Sequence, residues 1–245
     1  MAAGSETDGE VTRAQPRVLL GNINRGDVGS ALMMGAIQCL QQDVIHGMVV
    51  VETGPYLDDG RNKVVANALQ LPDWEWLLFV DSDIELTPEL VTTLLVPVQD
   101  LELNAFPVIA GVYVNPFDDG LHADNVGPVV YTWGQYRGLG AEEGMESFVR
   151  VSREELAALP DFHPSTPEVC IVDAVGTGFL ALHRSLLTHM QSVYPSPQPW
   201  FHEPVVNGVH FGEDMGFCLR LKELGYPVLV NRACTPVHRK TMKLI

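Results

Sequence analysis

The sequence is short of positive charge. Fifteen Lys and Arg stand against 31 Asp and Glu in 245 residues, a formal net charge of −16. A surface of that sign repels phosphate backbones and anionic headgroups at long range, so generic nucleic-acid binding is excluded and any bound anion must be met by a local cation or a metal. Long apolar runs are missing too. Stretches such as 76–80 and 94–98 fall far below the roughly 20 residues that cross a bilayer, so no membrane span is expected. Cys39, Cys170, Cys218 and Cys234 show no Cys-x-x-Cys spacing, which argues against a zinc ribbon or a dithiol redox site and leaves buried thiols. Residues 1–16 lack the basic start and apolar centre of a secretory signal, and are expected to form a flexible tail on a cytoplasmic protein.

What is present is 46% hydrophobic residues with 22 Gly and 17 Pro, enough apolar material for one large domain or two small ones. In the first half, apolar runs alternate with amphipathic stretches. Strands are expected at 17–21, 48–52, 76–80 and 108–113, and helices at 28–40, 61–71 and 88–96. Strands recurring between helices of that length imply βαβ units and a mostly parallel sheet. Ligands of such sheets gather at the carboxyl ends of the strands. From 115 to 167 the pattern loosens into Gly and Pro punctuation with Tyr131, Trp133 and Tyr136, a small antiparallel excursion or a long functional loop. Regularity returns with a strand at 169–175, helices near 184–190 and 213–224, and a strand at 227–230.

Three segments could carry chemistry. The strand 76–80 runs into Asp81-Ser82-Asp83. Side chains at i and i+2 of an extended segment point the same way, so the two carboxylates could converge on one hard cation; alternatively they are acidic residues in the turn before a helix that Thr87 caps and Pro88 begins. Glu213-Asp214 opens an amphipathic helix, where the helix dipole favours an ionised carboxylate, either as a general base or as ordinary helix-start chemistry. Near the end of the chain His238 is followed by Arg239 and Lys240, which suits a metal-plus-phosphate site or a solvated basic tail.

In order along the chain, these pieces resemble a nucleotide-sugar-dependent glycosyltransferase of the GT-A fold, similar to the family 2-like enzymes of bacteria and their phages. The resemblance implies an α/β fold with a Rossmann-like, mostly parallel central sheet flanked by helices and a small antiparallel or loop region on the acceptor side. It spans 17–245 as one domain, with a nucleotide-sugar half (17–113) and an acceptor-side half (114–245). Asn24 and Arg25 resemble the loop after the first strand that meets the nucleotide, and Arg61-Asn62-Lys63 resembles the family's "ARN" segment. Asp81, Ser82 and Asp83 match the Asp-x-Asp that holds Mn²⁺ or Mg²⁺ on the diphosphate. His238 matches the His that completes the metal site, with Arg239 or Lys240 helping on the diphosphate. The Gly-rich segment at 175–180, with Gly178, and the aromatic pair Trp200 and Phe201 resemble the acceptor side. Asp214 matches the base of inverting members, with Glu213 fixing its position.

The implied reaction transfers a sugar from a UDP- or GDP-sugar to a hydroxyl acceptor, a protein or a glycan first. Two other classes compete. A haloacid dehalogenase-like phosphohydrolase also uses an apolar strand ending in Asp-x-Asp, but there the motif normally follows the first strand. A non-catalytic nucleotide-sugar-binding module would not need Asp81, Asp83, Asp214 and His238 together.

Overall fold

The computed structural model describes residues 15–99, 106–114, 128–135, 146–206 and 208–239. In chain order the elements are β1 (Val18–Asn24), α1 (Ser30–Gln41), β2 (Gly47–Glu52), α2 (Leu57–Gln70), β3 (Trp76–Val80), α3 (Pro88–Gln99), β4 (Val108–Gly111), β5 (Val130–Gln135), β6 (Glu146–Arg150), α4 (Arg153–Ala158), β7 (Val169–Val172), β8 (Ala174–Val175), β9 (Phe179–His183), α5 (Arg184–Val193), β10 (Val205–Val206), β11 (Val209–His210), α6 (Glu213–Leu224) and β12 (Val228–Asn231).

Seven strands form the central sheet in the order β2-β1-β3-β9-β4-β12-β7. Five of them run the same way; β9 and β7 are antiparallel to their neighbours. The sheet is therefore mostly parallel, as the alternation of strands and helices implies. It draws strands from both ends of the chain. Its strands are apolar at successive positions because both faces are covered. Leu19, Leu77 and Phe79 pack in one core layer with α2, α5 and α6, whereas Val18, Leu20, Trp76, Leu78 and Val80 pack in the other with α1 and α3. All four cysteines are free and buried. No helix among the described residues is long and apolar enough to cross a membrane.

Two local features, β9 and the start of α2, differ from the expectation, and the described parts of 115–167 take the small antiparallel form that is one of its two alternatives. Residues 179–183 form β9, inserted antiparallel between β3 and β4. Within 115–167, the described parts give β5 and β6, which pair with β8 as a small antiparallel sheet, and α4, closed by a reciprocal Ser152–Glu155 capping box. Helix α2 starts four residues earlier than expected, with Asp58 and Asp59 rather than Arg61 in its first turn. The dipole explains that start: carboxylates suit a helix N-terminus and a guanidinium does not. Helix α3 begins as expected at Pro88, with Thr87 Oγ1 accepting from the Leu90 N–H (3.3 Å). Most of the expected tail, residues 1–14, lies outside the described residues.

Candidate active site

The chain passes from β1 to β2 on one side and returns with β3 on the other, so the sheet has a switch point between β1 and β3. A crevice is expected at the carboxyl end of such a pair. A cleft of about 600 Å³ opens there, lined by Asn24 and Arg25 after β1, Arg61 of α2, Asp81, Ser82 and Asp83 after β3, and Arg239. Seven of the residues expected to meet the nucleotide thus share one wall system. Asn24 Oδ1 accepts from the Gly26 N–H (3.0 Å), and Gly26 has φ +87°, a turn that glycine takes without strain. Ser82 staples this loop to the Asp-x-Asp: its hydroxyl donates to Ile23 O (3.2 Å) and its carbonyl accepts from the Gly29 N–H (3.2 Å).

Asp81 and Asp83 line the same cleft but pair with different residues. The Ile84 N–H closes a turn onto Asp81 O (3.0 Å), so the period of two that would align the carboxylates ends at the strand's last residue. Asp81 Oδ1 instead pairs with Arg61 Nη2 at 3.1 Å, and Arg61 Nε reaches Glu213 Oε1 at 3.3 Å. Burial works against the Arg61 charge, but Asp81 and Glu213 outweigh it and hold the guanidinium ionised. Its Nη1 is buried without a hydrogen-bond partner. Arg61 therefore ties the end of β3 to the start of α6.

Asp83 Oδ2 stands 2.9 Å from His238 Nε2. The strap carrying His238 is fixed by backbone bonds from Glu85 N to Val237 O (2.9 Å) and from Arg239 N to Asp83 O (2.7 Å). His238 Nδ1 lies 3.2 Å from Val114 O. A carbonyl only accepts, so Nδ1 carries the hydrogen and the Nε2 lone pair faces the carboxylate. Two acceptors in contact need a second ring proton or a shared cation between them. Among the described residues, no group of three or more His, Cys, Asp and Glu side chains is placed to hold a metal. The expected trio is reduced to the pair Asp83 and His238, with Asp81 engaged by Arg61. Arg239 forms an ion pair with Glu85 (2.6 Å). Lys240 lies outside the described residues.

Asp214 sits one residue past Glu213 in the first turn of α6, with Oδ1 accepting from the Met215 N–H (2.8 Å). The helix dipole by itself would keep its carboxyl low. Burial, reinforced by the Glu213 charge, pushes it up to about 6 against the partial relief of the Met215 N–H and Arg61. A carboxylate of that basicity is suited to taking a proton near neutral pH.

Three residues expected at the site are structural in their contacts. Asn62 uses its whole amide on backbone: Nδ2 donates to Asp58 O and Phe201 O (both 2.7 Å), and Oδ1 accepts from the Trp200 and Phe201 N–H groups (both 3.3 Å). Nothing remains for a nucleotide. Trp200 and Phe201 are in the core, 2% and 0% exposed. Phe201 stacks on Phe217 and meets Phe79 edge-on, while the Trp200 indole N–H donates to Leu187 O (2.8 Å). Their faces are spent on packing, which brings α6 against β3, and are closed to an acceptor. We expect Asn62→Ala to lower stability by about 3 kcal/mol, because four buried backbone groups lose their partner, with ligand binding to the folded protein retained; urea unfolding and calorimetric titration of one preparation check both.

Gly178 also lies behind the site. A Cβ there would meet Tyr113 Oη at 2.8 Å and Asp81 Oδ2 at 2.9 Å, and one on Gly176 would meet Tyr113 Oη at 2.4 Å. Its N–H donates to Tyr113 Oη (3.1 Å) and its carbonyl accepts from the Asp81 N–H (2.9 Å). Tyr113, whose ring also meets His238 edge-on at 5.7 Å, is the residue that sequence reasoning misses. A single aromatic at a strand end carries no local signal, although the two glycines that make room for it belong to the Gly-rich segment.

No family model matches the sequence, and no curated protein matches it. Three solved structures are similar to it. The STIV protein A197 shares 18% identity over 91% of this chain and 82% of its own, with a TM-score of 0.49. A glycosyltransferase involved in glycosylation of the major capsid of PBCV-1 shares 12% identity over 74% and 68%, with a TM-score of 0.37. Glucosyl-3-phosphoglycerate synthase from Mycobacterium tuberculosis, in complex with Mg²⁺ and UDP, shares 16% identity over 93% and 73%, with a TM-score of 0.45. All three TM-scores lie below 0.5, so a functional assignment rests on the site's own geometry.

Proposed function

We propose that the chain is a metal-dependent glycosyltransferase that moves a sugar from a nucleotide-sugar donor to a hydroxyl acceptor in the cytoplasm, with inversion. The observation that carries this reading is an Asp83–His238 pair 2.9 Å apart, of which Asp83 lines the switch-point cleft, together with an Arg61 bridge from that cleft to the acidic pair at the start of α6. Neighbouring ligands on an octahedral cation, each about 2.1 Å from it, stand about 3 Å apart, so the spacing of Asp83 Oδ2 and His238 Nε2 fits a shared Mn²⁺ or Mg²⁺. Such an ion, when bound, supplies positive charge for the diphosphate that leaves.

The remaining work falls to the chain. Asn24 and Arg25 border the nucleotide, and Arg239 faces the diphosphate side of the cleft. Arg61 holds Asp81 and Glu213 at fixed positions, which places Asp214 relative to the cleft. Asp214 takes the proton from the acceptor hydroxyl as that oxygen attacks the anomeric carbon, while the bond to the diphosphate breaks on the opposite face. A carboxyl near 6 is mostly ionised at pH 7 and accepts the proton more readily than an ordinary aspartate. The acceptor class, protein or glycan, belongs to the same proposal.

The test is release of nucleoside diphosphate from a panel of UDP- and GDP-sugars, with Mn²⁺ and with EDTA. The reading expects one donor to be cleaved or transferred with Mn²⁺ and not with EDTA. Cleavage of phosphate monoesters with no activity on any nucleotide sugar would replace it with the phosphohydrolase class.

A further inference from the structure

We propose that the outer margin of the sheet, formed by α1 and the edge strand β2, is a docking surface for a second copy of this chain. Helix α1 buries Leu32, Gly35, Ala36 and Cys39. Its solvent side is apolar as well: Met33, Met34, Ile37 and Leu40 are between 38% and 58% exposed. Positions 33, 37 and 40 fall on one stripe of a helix. The opposite flank of α1 is the one turned to α3, since a Cβ on Gly35 would come within 1.9 Å of Leu86 O in the turn before α3, and the charge of Glu89 in α3 acts on the Cys39 thiol. The stripe therefore looks away from α3, toward the β2 edge. β2 pairs with β1 on one side in a continuous register, and no described strand pairs with its other side. Val49 and Val51 belong to the core layer of α2, which puts Met48 and Val50 on the α1 face, where Val50 is 48% exposed. An apolar edge strand without a Lys or Pro to protect it is open to pairing with another strand.

Charge selects the occupant. With a net charge of −16, two copies of this chain repel each other except where the surface is uncharged. Residues 28–51 hold one acid, Asp43, and no Lys, Arg or Glu, in a chain of which 19% is charged. A basic partner finds no carboxylate on the stripe, and an anionic membrane is repelled by the surface around it. A second copy supplies what the margin lacks, a strand for the free edge and an apolar stripe for the helix. A two-fold axis perpendicular to the sheet at Val50 joins the two β2 strands antiparallel, keeps both α1 helices on one face of the joined sheet and turns their stripes toward each other. In that register each Glu52 stands opposite the partner's Met48, so the acidic residues do not meet. The five exposed side chains offer on the order of 400 Å² of apolar surface per copy, which suits the apolar centre of a standard interface of about 800 Å² per partner.

The experiment is sedimentation equilibrium of the full chain over a range of protein and salt concentrations, comparing the natural sequence with Ile37→Lys and Val50→Lys. We expect the mass to rise with concentration from 26.9 kDa toward twice that value, and the dimer to tighten as salt rises, because screening removes the repulsion between two acidic copies. Each Lys variant should weaken association at least tenfold, with the circular dichroism of the monomer unchanged, since both side chains are exposed. Amide hydrogen exchange at 48–52 should slow as the dimer forms. A monomer at every concentration and salt, or a dimer that either variant leaves as tight as before, overturns the proposal. So does a monomer that binds uncharged phosphatidylcholine vesicles and loses that binding in Ile37→Lys, which makes the stripe a membrane contact instead.

Discussion

Replacing Asp214 with Asn is expected to lower sugar transfer about a thousand-fold and, at neutral pH, to raise the melting temperature. The first effect follows from removing the proton acceptor while keeping the shape of the side chain. The second follows from the sign of its titration. The folded protein holds this carboxyl at about 6 rather than at its ordinary 3.8, so folding favours the protonated form. The ionised form therefore weakens stability progressively as pH rises from about 4 to about 6, and by a constant amount above that. A rise of that size corresponds to about 3 kcal/mol as an upper bound, since Asn also has an amide to satisfy. The Asn variant should gain nothing at pH 4 and about 1–3 kcal/mol at pH 7.5 by urea unfolding. With the natural sequence, transfer should rise with pH through about 6. Full turnover by Asp214→Asn, or a pH profile flat from about 5 to 8, would take Asp214 out of the base role.

The second large effect is expected at Arg61. Its guanidinium is enclosed between Asp81 Oδ1 and Glu213 Oε1, and it also passes 5.6 Å from the Phe79 ring. Arg61→Ala leaves two carboxylates without their cation, one of them nearly buried, and breaking a buried ion pair from one side typically lowers stability by about 3–5 kcal/mol. For a domain of this size that corresponds to a fall of roughly 10 °C in melting temperature. Much of the effect is the stranded charge on Glu213, so Arg61→Ala with Glu213→Gln should be more stable than Arg61→Ala alone. A double-mutant cycle by thermal unfolding measures this coupling. Equal stability of the single and double variants would show that Glu213 is solvated well enough not to need Arg61.

The alternation of strands and helices is legible in the sequence because buried parallel strands are apolar at every position; 76–80 is the clearest case. The carboxylates at its end are legible for the same reason, since a charge ends a buried run. Their partners are not. Whether Asp81 and Asp83 point together depends on a turn closed by the Ile84 N–H, and that turn has no signature beyond Ser82 between two acids. β9 escapes a sequence reading because its place between β3 and β4 is a long-range pairing, and its five residues run straight into α5. Two other features do leave a local signal. Ser152 and Glu155 have capping-box spacing, and Arg61 stands three and four residues before Val64 and Val65, on the stripe that α2 buries. Trp200 and Phe201 teach the opposite lesson: aromatic faces serve a core and a sugar equally well, and only packing against Phe79 and Phe217 decides which.

The central claim is that Asp83 and His238 hold a divalent cation that fixes a nucleoside diphosphate in the switch-point cleft. It is tested most directly by thermal unfolding with a panel of nucleoside diphosphates, each with Mn²⁺ and with EDTA, on the natural sequence and on Asp83→Ala. A ligand that binds only the folded state raises the melting temperature by mass action. The expected result is an upward shift on the order of 5 °C for one nucleotide at about a hundred times its dissociation constant with Mn²⁺, lost or much reduced in EDTA and in Asp83→Ala. A shift that is the same with Mn²⁺ and EDTA, or that Asp83→Ala leaves intact, would contradict the claim.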